Sequence, residues 1–455
     1  MSRFRPVDRG TGYLLPPSVD EWLPENHLAR FIVEVVENLS TTQLERDYAG
    51  RGSAAYHPNM LLALLVYGYA TGVFSSRKIE RATYDSLAFR FIAANQHPDH
   101  DTLATFRRRF LNEFSELFVQ VLQVACEMQM LKLGTISLDG SKIHANASRH
   151  SALSYGHIDK LEPQLRQEVQ QLLIQAEQAD QTAVPDGMDL PEEIARREER
   201  LATLAQARAK IEVRAKERYA RELAEYQDKL ARWEEKIRTN GKKPDGKPPT
   251  PPAVGPTNKD QINLTDEESR IMPTSGGGFE QAYNAQAAVD TNSMLIVAPA
   301  VTPACNDREQ VKPMLNQLTQ LPAALGKIEH LLTDNGFYSA ANAAACEIHG
   351  IEPLMAVGRE SHHPGPFERF TEPPALPDNA SPAQRMAHKL KSQAGRKLYA
   401  LRKQTVEPVF GIIKSVMGFR QFSLRGLKKV KGEWTLVCLA WNLKRMASLR
   451  LQMGN

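Results

Sequence analysis

The chain has 455 residues, which is too long for one ordinary hydrophobic core and predicts about two or three domains. Its 42% hydrophobic and 24% charged residues are the composition of a normal soluble protein. No apolar run approaches the roughly 20 residues that span a bilayer, and the N-terminus lacks the apolar core of a signal peptide. We therefore expect a cytoplasmic protein with no membrane partner.

The net charge of +4 hides an uneven distribution of basic residues. From Lys389 to Arg450 there are fifteen Lys or Arg residues against two acids, so this block predicts a polyanionic partner. The cysteines lie far apart and form no C-x-x-C pair, which predicts free, mostly buried thiols and neither a zinc site nor a disulfide framework. They are Cys126, Cys305, Cys346 and Cys438.

Residues 1 to about 130 are predicted to be helical. Apolar spacing indicates helices over 27–36 and 58–67, and polar residues indicate capped helices that begin near Ser75 and Asp101. The last helix carries Arg107, Arg108 and Arg109, which are suited to binding phosphate groups, although a solvated helix face explains them equally well. The region fits either a helix-turn-helix-like DNA reader or a helical bundle.

A strand is predicted from Thr135, with a turn at Gly140-Ser141, but no further strand follows for more than a hundred residues. Between Pro191 and Arg238, 24 of 48 residues are charged. This composition predicts a long helix or helical hairpin with opposite charges in i,i+4 reach. A linker rich in Pro, Gly and Lys follows over 240–256.

Alternating helices and strands are predicted again from Ile262 onward. In chain order they are a hairpin over 280–298, a helix capped within 306–309, a strand over 328–332, a helix over 340–349, a strand over 351–357, a loop over 358–382, and helical segments around Glu407 and over 434–450.

This order of helices and strands is that of a ribonuclease-H-like fold, in which the first and fourth strands are neighbours. Three carboxylates stand on or directly after elements of this order. Asp139 and Asp334 would then meet at one end of the sheet, and the late helix would lay Glu407 across them. Carboxylates are hard ligands for Mg²⁺, and two ions roughly 3.5–4 Å apart support in-line phosphoryl transfer. Either aspartate alone is more readily a turn residue that accepts backbone hydrogen bonds.

Basic residues surround Glu407. On one continuous helix Lys403 and Lys414 share its face, and Arg402 could grip a phosphate through two hydrogen bonds. Pro408 leaves open a kink or a new helix that begins there. Asn284 and Gln286 either contact the site or DNA, or serve hairpin packing or edge polarity. Tyr399 either contacts DNA or lies at the edge of the core. His144 and the pair His362-His363 are expected not to bind metal.

Four motifs together resemble the bacterial insertion-sequence DDE transposases of the group numbered eleven-eighty-two, over nearly the whole chain. The motifs are Ser137 to Lys142, Gly278 to Gln286, Thr333 to Tyr338, and a Y-R-E-K signature of Tyr399, Arg402, Glu407 and Lys414. The gap before Glu407 is one residue longer than usual, so Arg402 or Lys403 takes the arginine's role.

The resemblance implies a catalytic and metal-binding triad of Asp139, Asp334 and Glu407 with two Mg²⁺ or Mn²⁺ ions. It also implies that Tyr399, Arg402 and Lys414 contact double-stranded DNA, both terminal inverted repeats and target. The partner would most simply be a second copy in a homodimeric synaptic complex, associated with the nucleoid.

We therefore predict three regions. They are a helical DNA-binding domain at 1–130, a ribonuclease-H-like catalytic domain at 131–155 and 258–450, and a charged helical insertion with its linker at 156–257. We hypothesise that the insertion helps to assemble the synaptic complex. Two alternatives remain: a nuclease of the same fold that cuts without joining, and a non-catalytic DNA-binding protein derived from a transposase.

Overall fold

A computed structural model describes residues 18–46, 48, 55–177, 189–240, 248–274, 277–358 and 371–453. The chain forms two compact units: a main unit of Met1–Ala145 with Ala282–Asn455, and an inserted unit of Asn146–Gln281. The predicted histidine pair His362-His363, residues 241–247 of the predicted linker and residues 1–17 of the predicted helical region lie outside the described residues.

The described part of the chain contains fifteen α-helices. They are α1 (Val19–Trp22), α2 (Leu28–Glu37), α3 (Thr42–Arg46), α4 (Pro58–Thr71), α5 (Ser76–Asp85), α6 (Leu87–Ile92), α7 (His100–Arg109), α8 (Phe114–Glu127), α9 (Tyr155–Glu177), α10 (Leu190–Asn240), α11 (Val311–Thr319), α12 (Ala340–Ile348), α13 (Pro382–Lys391), α14 (Gln393–Ser415) and α15 (Leu427–Met453).

Eight strands lie in the same described ranges. They are β1 (Leu133–His144), β2 (Ala152–Ser154), β3 (Gln261–Asn263), β4 (Arg270–Pro273), β5 (Phe279–Asp290), β6 (Ile296–Thr302), β7 (Gly326–Thr333) and β8 (Glu352–Met355).

The N-terminal helices form where the sequence predicts them, but two predicted caps differ, since Ser75 precedes α5 without a side-chain capping hydrogen bond. Helix α4 has Pro58 in its first turn and ends at Gly72 with φ 84°, and nearly all of its residues are buried. Helix α7 begins one residue before Asp101, and Asp99 is its N-cap: the Thr102 N–H donates to Asp99 Oδ1 over 2.8 Å. The prediction missed this cap because either aspartate can accept from a first-turn N–H.

The main unit has a mixed sheet in the order β6-β5-β1-β7-β8. Strands β1 and β5 pair antiparallel, whereas β1 pairs parallel with β7 and β7 with β8. The prediction that the first and fourth strands of this sheet are neighbours is confirmed. The predicted turn at Gly140-Ser141 is wrong, because β1 continues through both residues in unbroken register with β5.

Helices α14 and α15 cover the sheet of the main unit. Helix α14 runs unbroken through Pro408, so the alternative of a new helix starting there does not occur. Helix α15 is largely buried, and its Trp434 Nε1 donates to the Gln286 carbonyl over 3.0 Å. This contact ties α15 to β5.

The inserted unit is built on the charged segment. Helices α9 and α10 pack around an apolar cluster that includes Ile158, Leu204 and Ile211. Arg197 Nε lies 2.9 Å from Glu168 Oε2, so charges pair between the helices as well as along them.

The four cysteines differ in their exposure. All four cysteines are free, with Cys346 and Cys438 buried but Cys305 exposed, so only half of them are the buried thiols predicted.

No single helix in the described ranges is long and apolar enough to cross a membrane, and the bent pair α4–α5 passes such a test only by length and composition.

Candidate functional site

Two aspartates lie close together where β7 ends beside β1. Leu138 and Thr333 are register partners, and Asp139 and Asp334 follow them directly. The parallel pairing therefore brings together two carboxylates that are far apart in sequence. The Asp139 side chain is only 18% exposed.

Burial acts on both aspartates, and nearby carboxylates add to it. Burial, followed by the Asp334 charge, raises the pKa of Asp139 to about 7, against the opposing effects of the Gly140 N–H and the Arg402 charge. Burial likewise raises the pKa of Asp334, although the Gly336 N–H donates to its Oδ1 over 2.9 Å. The site therefore disfavours two bare negative charges and is suited to a positive partner.

Arg402 is the cation that the chain itself supplies there. Its Nη1 donates to Asp139 Oδ2 over 3.2 Å, and its Nη2 donates to Glu407 Oε1 over 2.8 Å. Arg402 is buried, while the Glu407 side chain is 48% exposed. The structure thus joins Glu407 to Asp139 through the guanidinium, and Lys403 is exposed.

The other residues of the predicted signature contact the strands next to the aspartates. Tyr399 Oη donates to the Thr333 carbonyl over 3.1 Å, immediately before Asp334. Lys414 Nζ donates to Ser141 Oγ, two residues after Asp139. Burial, together with the nearby positive charges, lowers the pKa of Lys414. Helix α14 therefore lines the site along much of its length.

The three arginines of α7 have different environments. Arg107 is buried: its Nη1 donates to Tyr69 Oη over 2.9 Å, and Tyr69 in turn donates to the buried Glu433 over 3.0 Å. Arg108 and Arg109 are exposed on the same helix. Of the three, Arg107 has its guanidinium turned into the protein.

Sequence reasoning missed a further carboxylate, Asp307. It was expected to cap a helix, but its side chain makes no capping hydrogen bond. Its Oδ1 instead accepts from Asn284 Nδ2 and Gln286 Nε2, each over 2.7 Å. The available signal was the pair of amides two residues apart, and therefore on one face of the strand, among the alanines of β5.

The donor set at this edge fits a divalent metal in its chemistry. Asp139, Asp334 and Glu407 offer hard oxygen ligands of the kind that Mg²⁺ and Mn²⁺ prefer. In the described ranges, no group of three or more His, Cys, Asp or Glu side chains is arranged to hold an ion as it stands. Because Arg402 lies between Asp139 and Glu407, three-carboxylate binding requires Arg402 or Glu407 to turn.

Comparisons with known proteins bear on two parts of the chain. A family model described as Transposase domain (DUF772) matches residues 17–109, and one described as Transposase DDE domain matches residues 375–447. Neither the curated proteins nor the solved structures gave a match. The second match contains Tyr399, Arg402, Glu407 and Lys414.

The two matches support a transposase of the insertion-sequence kind that acts on DNA. A DDE domain implies a ribonuclease-H-like fold, and the mixed α/β sheet with a helical N-terminal region is consistent with it. Transposases of the DDE class generally use divalent metal ions, so the match agrees with the chemistry of the donor set.

Proposed function

We propose that this chain is a DDE transposase that cleaves DNA at the ends of its element and joins them to target DNA. The observation that carries the proposal is the pair Asp139 and Asp334 on neighbouring parallel strands, with Glu407 linked to Asp139 through Arg402. Glu407 and Arg402 lie inside the DDE-domain match, so the geometry and the family evidence point to the same residues.

In this proposal Asp139, Asp334 and Glu407 hold two Mg²⁺ or Mn²⁺ ions. Bound there, the ions would supply Lewis-acid stabilisation for phosphoryl transfer. The chain's own residues hold and shield the site: Arg402 balances the carboxylate charge before the metal arrives, and the half-exposed Glu407 turns to complete the ligand set.

DNA contacts follow from the cations of α14 and α7. We assign phosphate contacts to Tyr399, Arg402 and Lys414, in keeping with a Y-R-E-K signature of the group numbered eleven-eighty-two. On α7 we assign them to Arg108 and Arg109, because Arg107 is engaged with Tyr69. Arginine forks suit phosphate oxygens, which carry most of the sequence-independent affinity for DNA.

At the level of regions, we propose that 1–130 binds the terminal inverted repeats and that 131–155 with 258–450 performs the chemistry. The charged region at 156–257 would assemble a homodimeric synaptic complex. The enzyme would then work where the DNA is, in the cytoplasm at the nucleoid.

The test is Mg²⁺-dependent cleavage and strand transfer on labelled DNA carrying the element's end. We expect Asp139→Asn, Asp334→Asn and Glu407→Gln each to lower both steps by at least about a thousandfold while DNA binding persists, since each removes a ligand charge. Glu329→Gln, an exposed substitution on β7, is the matched control and should remain active.

Three outcomes would change the assignment. Activity that survives one of the three substitutions removes that residue from the site. Cleavage without transfer of a pre-cut 3′-hydroxyl end indicates a nuclease of the same fold. Binding of the element's end with no metal-dependent cleavage indicates a DNA-binding protein without catalysis.

A further inference from the structure

Asp307 is held beside the proposed site by two buried amides. Asn284 and Gln286 both lie on β5, are fully buried, and direct their N–H groups to the same oxygen, Asp307 Oδ1. Lys142, the register partner of Asn284, has its Nζ 3.8 Å from that oxygen. Three groups thus fix one oxygen of this carboxylate and stabilise its charge.

The amides hold Asp307 at a cost to their own hydrogen bonding. Asn284 Oδ1 and Gln286 Oε1 are buried and have no hydrogen-bond partner among the described residues. A buried unpaired amide oxygen is unfavourable, because it has lost its hydrogen bonds to water without replacement. Asn284 Oδ1 is also aimed at the strand beside Asp139, 2.9 Å from where a Cβ on Gly140 would stand. Such an arrangement is typical of a functional site rather than of packing alone.

The second oxygen of Asp307 lies on the side of Asp334. Asp307 Oδ2 and Asp334 Oδ1 lie 3.7 Å and 3.1 Å from one point, the position of a Cβ added to Gly336. The Asp307 charge also raises the pKa of both Asp139 and Asp334. Asp307 therefore belongs to the same electrostatic cluster, and two glycines leave the room for it.

We propose that Asp307 is a fourth carboxylate ligand, which donates Oδ2 to a divalent ion shared with Asp334 and Asp139. The inference rests on the proposed function, because it adds a ligand to the same metal site. Asn284 and Gln286 are positioning residues: by holding Oδ1 they leave Oδ2 free for the ion. Lys142 balances the Asp307 charge until the ion binds.

Metal affinity tests this role without relying on catalysis. Mn²⁺ binding to the full chain is measured by electron paramagnetic resonance for wild type, Asp307→Asn and Asp139→Asn. Losing an outer-sphere partner typically weakens metal binding about 10–100-fold, so losing a direct ligand should weaken it by about tenfold or more. Glu309→Gln, an exposed change of the same charge two residues away, should leave the affinity unchanged.

The two variants separate the inference from the proposed function. If Asp139→Asn weakens Mn²⁺ binding and Asp307→Asn does not, Asp307 is no ligand and only the inference is overturned. If neither substitution changes the affinity, the metal site itself is misassigned and both proposals fail.

A thiolate at position 307 gives a second measurement, in case the asparagine variant does not fold. Cadmium prefers soft sulfur ligands, so Asp307→Cys should gain a thiolate-to-cadmium absorption band beyond the wild-type background from Cys305 and the other thiols. Adding Asp139→Asn should weaken that band if the ion is shared. No additional band in folded Asp307→Cys would contradict the proposal.

Discussion

Arg402 sets the balance of charge in the candidate site. Its guanidinium lies between Asp139 and Glu407, and the negative charges around it raise its own pKa against the effect of burial. Its Nε has no hydrogen-bond partner among the described residues. One buried cation thus bridges two carboxylates and still has an N–H donor that pairs with no described acceptor.

Gly140 is a second residue on which the site depends. A Cβ there would lie 2.2 Å from Gln286 Nε2 and 2.6 Å from Asp307 Oδ1. We expect Gly140→Ala to lower the free energy of unfolding by about 1–3 kcal/mol, as overpacking does, and to weaken DNA cleavage because Asp307 must shift. Urea denaturation and the cleavage assay measure the two effects.

Gly134 provides the matched control for that substitution. It lies on the same strand, and nothing stands within 4 Å of a Cβ added to it. Gly134→Ala should leave cleavage intact and stability equal or slightly higher, since alanine restricts the unfolded chain. Equal behaviour of the two variants would contradict the close packing around Gly140.

At the residue scale, sequence reasoning recovered what has a local signal. Asp139 and Asp334 stand at predicted strands, and Glu407 stands among basic residues, so each could be picked out, although their catalytic roles stay a prediction. Asp307 follows Asn306 just before a helix and looks like any cap, because nothing local shows that Asn284 and Gln286 will hold it. Contacts across the sheet carry that information.

Among the elements, α15 closes the edge of the sheet. Asn442 is fully buried; its Oδ1 accepts from the Ile296 N–H and its Nδ2 donates to the Ile296 carbonyl, each over 2.8 Å. The side chain therefore pairs with β6 as a neighbouring strand would. An exposed edge of the central sheet is avoided in this way.

Replacing this side chain tests the closure. Asn442→Leu leaves the buried N–H and carbonyl of Ile296 unpaired, so we expect a loss of about 2–5 kcal/mol in the free energy of unfolding, since each orphaned group costs about 1–3 kcal/mol. Asn316→Leu on the exposed face of α11 is the control and should change stability by less than about 0.5 kcal/mol. Equal midpoints in urea would refute the role of Asn442.

Element positions were easier to predict than their ends and continuations. The apolar run after Pro58 marks α4 because its local pattern is also its packing pattern. Gly140 and Pro408 were read as a turn and a possible break, yet β1 and α14 continue through them. Tertiary packing overrode local preference at both, since pairing with β5 and burial of α14 outweigh the intrinsic cost.

For the molecule as a whole, the chain leaves the main unit and re-enters it at adjacent positions of β1 and β5. His144 and Ala282, which flank it, are register partners on β1 and β5. Within the unit, the Tyr155 N–H donates to the Asp260 carbonyl over 2.7 Å, so the first residue of α9 and the residue before β3 lie beside each other next to the small β2–β3 pair. The long charged segment can therefore be removed without stretching the chain.

A shortened protein tests what the segment does. We expect a variant with residues 156–259 replaced by a short Gly-Ser linker to fold and to nick single element ends. The variant carries Leu153→Thr and Ile262→Thr, because these residues lose their apolar cover. It should lose paired-end cleavage if the segment assembles the synaptic complex, and circular dichroism confirms folding. Wild-type levels of paired-end cleavage would refute that role.

Long-range order was predictable in part. The neighbouring first and fourth strands followed from the succession of elements, because few topologies accommodate that order. The deep burial of Glu433 was not predictable: it is one of the two acids counted in the basic block, yet it accepts from Tyr69 and from the Ser423 and Leu424 N–H groups. Charge in sequence does not reveal which ions a fold encloses.

The pairing of β1 with β7 also determines when the sheet can form during synthesis on the ribosome. β1 leaves the ribosome with one edge that only β7 can cover, and at ~5–20 residues per second the wait lasts roughly 10–40 s. During that interval the nascent chain exposes a strand edge prone to wrong pairing. α14 follows later still, so a prematurely terminated product carries both aspartates without Arg402 or Glu407. The carboxylate site is thus completed only after α14 has been synthesised.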